Sequence, residues 1–107
     1  MIFGAMRDKA LNEMAAALFP KADELILTSM DNPRAASLEV LMTAAPEAFD
    51  ASRMHQASSV FDALRFARQM TSADGLICIT GSLYLVGAAQ EILKRESRGV
   101  AQLPVAH

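Results

Sequence analysis

The sequence predicts an α/β sandwich built on a mainly parallel sheet. Short apolar runs ("MIFGAM", "LILT", "LICIT") alternate along the chain with segments whose apolar residues recur at helical spacing. One of those runs, Leu76 to Thr80, is uninterrupted and β-branched, the pattern of a parallel strand covered on both faces. At 107 residues the chain has room for one domain.

The elements follow in order. Met1 to Met6 reads as a buried strand. Leu11, Met14, Ala15 and Leu18 then mark one face of a helix, with Asp8 as its N-cap and Pro20 at its end. A strand centred on Leu25 to Thr28 leads into the loop "SMDNPR". Ser37 caps a short helix through Leu38, Leu41 and Met42, which Pro46 stops. The segment "PEAFDASRMHQASS" is irregular, and its middle reads either as a short strand or as loop. Ser59 opens another amphipathic helix, carrying Val60, Leu64 and Ala67 on one face with Phe61 beside it. Gly75 suits a left-handed turn after that helix. Gly81 and Ser82 end the "LICIT" strand. A helix follows with Leu85, Val86, Ala89, Ile92 and Leu93 inward. The tail from Ser97 to His107 carries Gly99 and Pro104 and reads as frayed.

Composition narrows the function classes. A net charge of −2 calls for neither nucleic acid nor an anionic membrane as partner. The single cysteine, Cys78, excludes an internal disulfide and fits a reducing compartment. Its place within an apolar strand reads as an inert core thiol. No signal peptide or membrane-spanning run is visible, so the chain reads as cytoplasmic. His55 has no carboxylate or cysteine at ligand spacing, and no metal site is expected.

In a parallel sheet, ligands sit at the carboxyl ends of the strands. The candidate loops there are Ala5 to Lys9, Ser29 to Arg34 and Thr80 to Ser82. In "TGSLY" (Thr80 to Tyr84), Ser82 at a helix start is either an N-cap or part of a small anion site. In "DNPR", Arg34 offers a fork suited to a carboxylate, Pro33 stiffens the loop, and Asp31 and Asn32 can hold its turn. A solvated turn is the alternative. A Walker A motif is absent.

The stretches "FGAMRDKALNEMAAALFPKADELILTSMDNPRAAS" and "ICITGSLYLVGAAQEIL" together resemble the C-terminal domain of bacterial folylpolyglutamate synthase/dihydrofolate synthase, within the Mur ligase superfamily. The resemblance spans Phe3 to about Leu93. It implies a Rossmann-like three-layer sandwich and a chemistry. ATP phosphorylates a carboxylate of folate or dihydropteroate, and the amine of L-glutamate displaces phosphate from the acyl phosphate to form an amide. By the same likeness Asp31, Asn32, Arg34, Ser82 and Tyr84 belong to the glutamate site. Asp8 and Lys9 face the cleft with no assigned role. ATP and Mg2+ are held by a preceding ATPase domain in the intact enzyme.

The chain also departs from that pattern. The motif Asp-x-Ala-His-Asn-Pro is missing, as is the ATPase domain, and Ala10 stands where the family has an aspartate. The expectation is therefore a partial glutamate ligase domain over residues 1–96, truncated by one strand and one helix, with a flexible tail at 97–107 and no activity alone. Two alternatives are a Mur-type ligase adding a diamino acid to peptidoglycan precursors, and a non-catalytic carboxylate-binding module. Truncation would bare a sheet edge and apolar helix faces. The isolated chain is then expected to be marginally stable, to self-associate or to depend on the missing part, and sedimentation at rising protein concentration tests this; a clean monomer with a cooperative, high melting transition contradicts it.

Overall fold

A computed structural model of the chain describes residues 1–7 and 10–99. Strands β1 (Ile2–Phe3), β2 (Leu25–Thr28), β3 (Met54–Ala57) and β4 (Ile79–Thr80) alternate with helices α1 (Leu11–Leu18), α2 (Leu38–Thr43), α3 (Val60–Met70) and α4 (Leu83–Gly99). The sheet order is β3-β2-β1-β4, and every pairing is parallel. Ile2 sits opposite Ile26 on one side and Ile79 on the other, so β1 is central.

Side-chain alternation along the strands divides the core into two layers. Phe3, Leu25 and Leu27 face Ala15, Phe19 and Leu41 from the α1/α2 side. Ile2 and Ile26 face Ala63, Leu64, Ala67, Leu85 and Ala89 from the α3/α4 side. The chain reaches this arrangement because β1, β2 and β3 step in one direction while β4 returns to the far side of β1. Right-handed crossovers then put α1 and α2 on one face and α3 on the other.

The local caps predicted from sequence form. The Ser37 hydroxyl accepts from the Val40 amide at 3.2 Å, and the Ser59 hydroxyl from the Asp62 amide at 3.1 Å. Helix α1 starts without a side-chain cap, at Ala10. Asp8, expected to cap it, lies outside the described residues. Helix α4 continues to Gly99, and of the expected tail residues 100–107 also lie outside them.

The irregular middle segment resolves into β3, held by long-range contacts. Arg53 Nε donates to the Asp23 carbonyl at 2.7 Å, and its Nη2 donates to the Ala22 carbonyl. His55 Nε2 lies 2.7 Å from Glu24 Oε2, with its ring 5.0 Å from that of Phe66. A carboxylate therefore does stand beside His55, brought there by folding rather than by spacing. Just before β3, Asp50 accepts from the Ser52 hydroxyl and amide, which holds its carboxyl below the usual range.

Other expectations are corrected. The "LICIT" run is an edge strand paired with β1 alone and is not covered on both faces. Leu76 is 88% exposed, Cys78 is exposed, and only Ile79 and Thr80 pair as strand. Cys78 is thus no core thiol. Gly75 does not adopt a left-handed conformation; among the described residues the positive-φ position is Gly81, at 111°. Strand β1 stops at Phe3, short of Met6, because residues 5–7 leave the sheet to pair with the loop after β2.

Phe19 is fully buried, with its ring edge-on to Phe3 at 5.0 Å and Phe49 at 6.1 Å. Phe19→Ala is expected to lower unfolding free energy by about 3–5 kcal/mol in urea titrations. Phe61→Ala, at a site 47% exposed, should stay within about 0.5 kcal/mol of wild type.

Candidate functional site

The strand order reverses between β1 and β4, and the loops that leave those strands pass to opposite faces of the sheet. That divergence opens a crevice at the carboxyl rim, where open parallel sheets bind ligands. A groove of about 550 Å3 lies there, lined by Met6, Met14, Ile79, Gly81, Ser82 and Tyr84 among others. Most of its wall is apolar. Ser82 and Tyr84 are the polar side chains at its α4 end, and Leu83, 91% exposed, stands at its lip.

Two glycines shape the floor. A Cβ on Gly81 would come within 2.4 Å of the Gly4 carbonyl oxygen and 3.0 Å of the Phe3 ring. A Cβ on Gly4 would come within 2.7 Å of the Thr28 carbonyl oxygen. The ends of β2, β1 and β4 therefore approach more closely than a side chain allows. Gly81 also carries the positive φ that turns the chain from β4 into α4.

Ser82 caps α4: its hydroxyl accepts from the Tyr84 amide at 3.1 Å, and its carbonyl from the Val86 amide at 3.1 Å. The hydroxyl hydrogen is left to donate elsewhere. Tyr84 reaches across the rim, and its hydroxyl donates to the Asp31 carbonyl at 2.7 Å. This bond brings the "TGSLY" corner and the "DNPR" loop side by side.

The "DNPR" loop is internally braced. Asn32 Oδ1 accepts from the Arg34 amide at 2.9 Å, and the Asn32 carbonyl from the Ala35 amide at 3.0 Å. The Arg34 carbonyl accepts from the Arg7 amide at 2.7 Å, the Ala5 carbonyl from the Ala36 amide at 2.8 Å, and Met6 pairs antiparallel with Ala35. All three loops singled out from sequence thus share one rim and are fastened to each other. Ser82 and Tyr84 line the groove, whereas Asp31, Asn32 and Arg34 stand beside it and do not form its wall. Asp8 and Lys9 lie outside the described residues.

The apolar wall formed by Met6, Met14 and Ile79 was not anticipated. The sequence signal for it was slight: methionines at a strand end and on a helix face look like packing wherever they occur. A second cavity of about 400 Å3 opens at the opposite rim, near Glu24, Ser72, Leu76 and Cys78, away from every one of these loops. Among the described residues no group of His, Cys, Asp and Glu is arranged to hold a metal ion, and no helix is long and apolar enough to cross a membrane.

Residues 1–83 match the Mur ligase, glutamate ligase domain, and the chain belongs to that family. It is 29% identical over 109 residues to the dihydrofolate synthase/folylpolyglutamate synthase of Mycobacterium tuberculosis (strain ATCC 25618 / H37Rv). That alignment covers 89% of this chain and 22% of the relative. A crystal structure of Mycobacterium tuberculosis folylpolyglutamate synthase complexed with ADP and AMPPCP superposes with a TM-score of 0.75 at 33% identity, over 85% of this chain and 22% of that one. The same enzyme complexed with ADP gives 0.74 at 30%, with the same coverage. The chain therefore spans about a fifth of the length of the relatives it matches.

The glycine contact generates a test of the rim. Gly81→Ala forces both a disfavoured φ and a clash with the Gly4 carbonyl, and should cost more than about 1 kcal/mol in chemical denaturation; an unchanged midpoint would refute the close approach.

Proposed function

We propose that this chain forms the glutamate-binding side of the cleft in an ATP-dependent ligase that joins L-glutamate to folate or dihydropteroate. The observation that carries the reading is the groove at the β1/β4 switch point, with the "DNPR" loop joined to it through Tyr84 and Asp31. Arg34 would meet a carboxylate of the incoming glutamate by two parallel N–H bonds. Ser82 would add its free hydroxyl hydrogen. Asp31 and Asn32 would set the loop's shape, Asn32 through its bond to the Arg34 amide. ATP, Mg2+ and the folate pocket would belong to the remainder of the larger enzyme, which the relatives possess and which would supply the acyl phosphate. On this reading the chain does not turn over substrate alone and works in the cytoplasm.

Support comes from the family membership, from the likeness to folylpolyglutamate synthase, and from the convergence of the loops on the rim. Isothermal titration with L-glutamate should give a saturable signal, and the diamino acid diaminopimelate should give a weaker one. Arg34→Ala should weaken glutamate binding about tenfold or more, the loss expected for a charge-assisted pair. Glutamate binding that is absent, or untouched by Arg34→Ala, would overturn the assignment.

A further inference from the structure

We infer that Tyr84 is a positioning residue, holding the Asp31–Arg34 loop against the head of α4 rather than donating to a bound carboxylate. The inference rests on the reading of this rim as an amino-acid site, and it assigns Tyr84 a different part in that site from the direct contact implied by family likeness.

A phenol has one hydrogen to donate. In Tyr84 that hydrogen is committed to the Asp31 carbonyl, 2.7 Å away and 53 residues back along the chain. The oxygen still offers a ligand only a lone pair, which suits an amine and disfavours a carboxylate. Ser82 is placed the other way round. Its oxygen accepts from the Tyr84 amide, and its hydrogen remains available. The two neighbouring hydroxyls therefore divide the work, with Ser82 as a donor to the ligand and Tyr84 as a strut.

The loop has the anatomy of something that needs a strut. Its second half is fastened to the first rim loop through Arg7 and the Met6–Ala35 pair. Its first half is fastened to α4 through Tyr84. The two attachments lie at opposite ends of the turn that carries Arg34. The ring is anchored in turn, because the Ser82 cap fixes the amide of the residue that bears it. Freeing the hydroxyl bond would loosen the turn between buried Met30 and the Met6–Ala35 pair.

Tyr84→Phe removes the hydroxyl and keeps the ring. Amide hydrogen exchange at Asn32, Arg34 and Ala35 should speed up about fivefold, the factor that corresponds to about 1 kcal/mol for one hydrogen bond. Exchange within α3 should speed up by no more than that factor, and the urea midpoint should fall only by the amount the same loss accounts for. This measurement needs no ligand, so it decides the part played by Tyr84 even if L-glutamate does not bind. Where glutamate does bind, its affinity should fall by no more than the loop's own loosening. Unaltered loop exchange overturns the proposal, as does a hundredfold loss of glutamate binding with the loop still protected. Should the variant fail to fold, the wild-type chain still gives an answer. Tyr84 is its sole tyrosine and it has no tryptophan. Ultraviolet resonance Raman on it should show the doublet of a hydrogen-bond-donating phenol, and the pattern of a non-donating one overturns the strut.

Discussion

Everything on the carboxyl rim depends on the pairing of Ile2 and Phe3 with parallel strands on both sides. A parallel pair cannot be closed by a tight turn, so each neighbour of β1 needs a helical crossover. The crossovers run in opposite directions along the sheet, and their common handedness sends α1 and α2 to one face and α3 to the other. The crevice is the gap this leaves between the end of β1 and the end of β4. A central strand of only two residues suffices because it is clamped from both edges and both faces. Ile2 and Phe3 are essentially inaccessible to solvent.

Small residues then let the rim close up. Gly4 and Gly81 stand where a Cβ would strike backbone of the neighbouring segment. The contact brings the ends of β1, β2 and β4 together, and the loops beyond them become fastened to one another. Most of those fastenings are backbone hydrogen bonds, such as Arg7 to Arg34 and Ala36 to Ala5. They survive side-chain replacement, so the rim can keep its shape while its chemistry varies. The Tyr84 bond to Asp31 is of a different kind, because it depends on a single side chain.

Much of this was legible in the letters. The alternation of apolar runs with helical periods yields the α/β class, and membership of the glutamate ligase domain family agrees with the motifs read as a resemblance. Ser37, Ser59 and Ser82 each cap the helix predicted for them, because a cap is decided within three residues. The loops chosen for the rim do share it, since a parallel sheet leaves no other place for them. The misreadings of "LICIT" and of Cys78 share one origin. "LICIT" looks like a strand covered on both faces, yet whether such a run is central or at an edge depends on how many partners reach it. Here β1 alone does, and Leu76 and Cys78 face solvent.

The sequence by itself determined the α/β order, the helices and the serine caps at Ser37, Ser59 and Ser82, because those follow from interactions over a few neighbouring residues. Tertiary structure alone decided which distant groups meet. It set Glu24 against His55, 31 residues apart, and Asp31 against Tyr84, 53 apart. It also turned packing methionines into the wall of a groove. No local pattern encodes such pairings, because they arise from sheet order and crossover handedness, which belong to the chain as a whole.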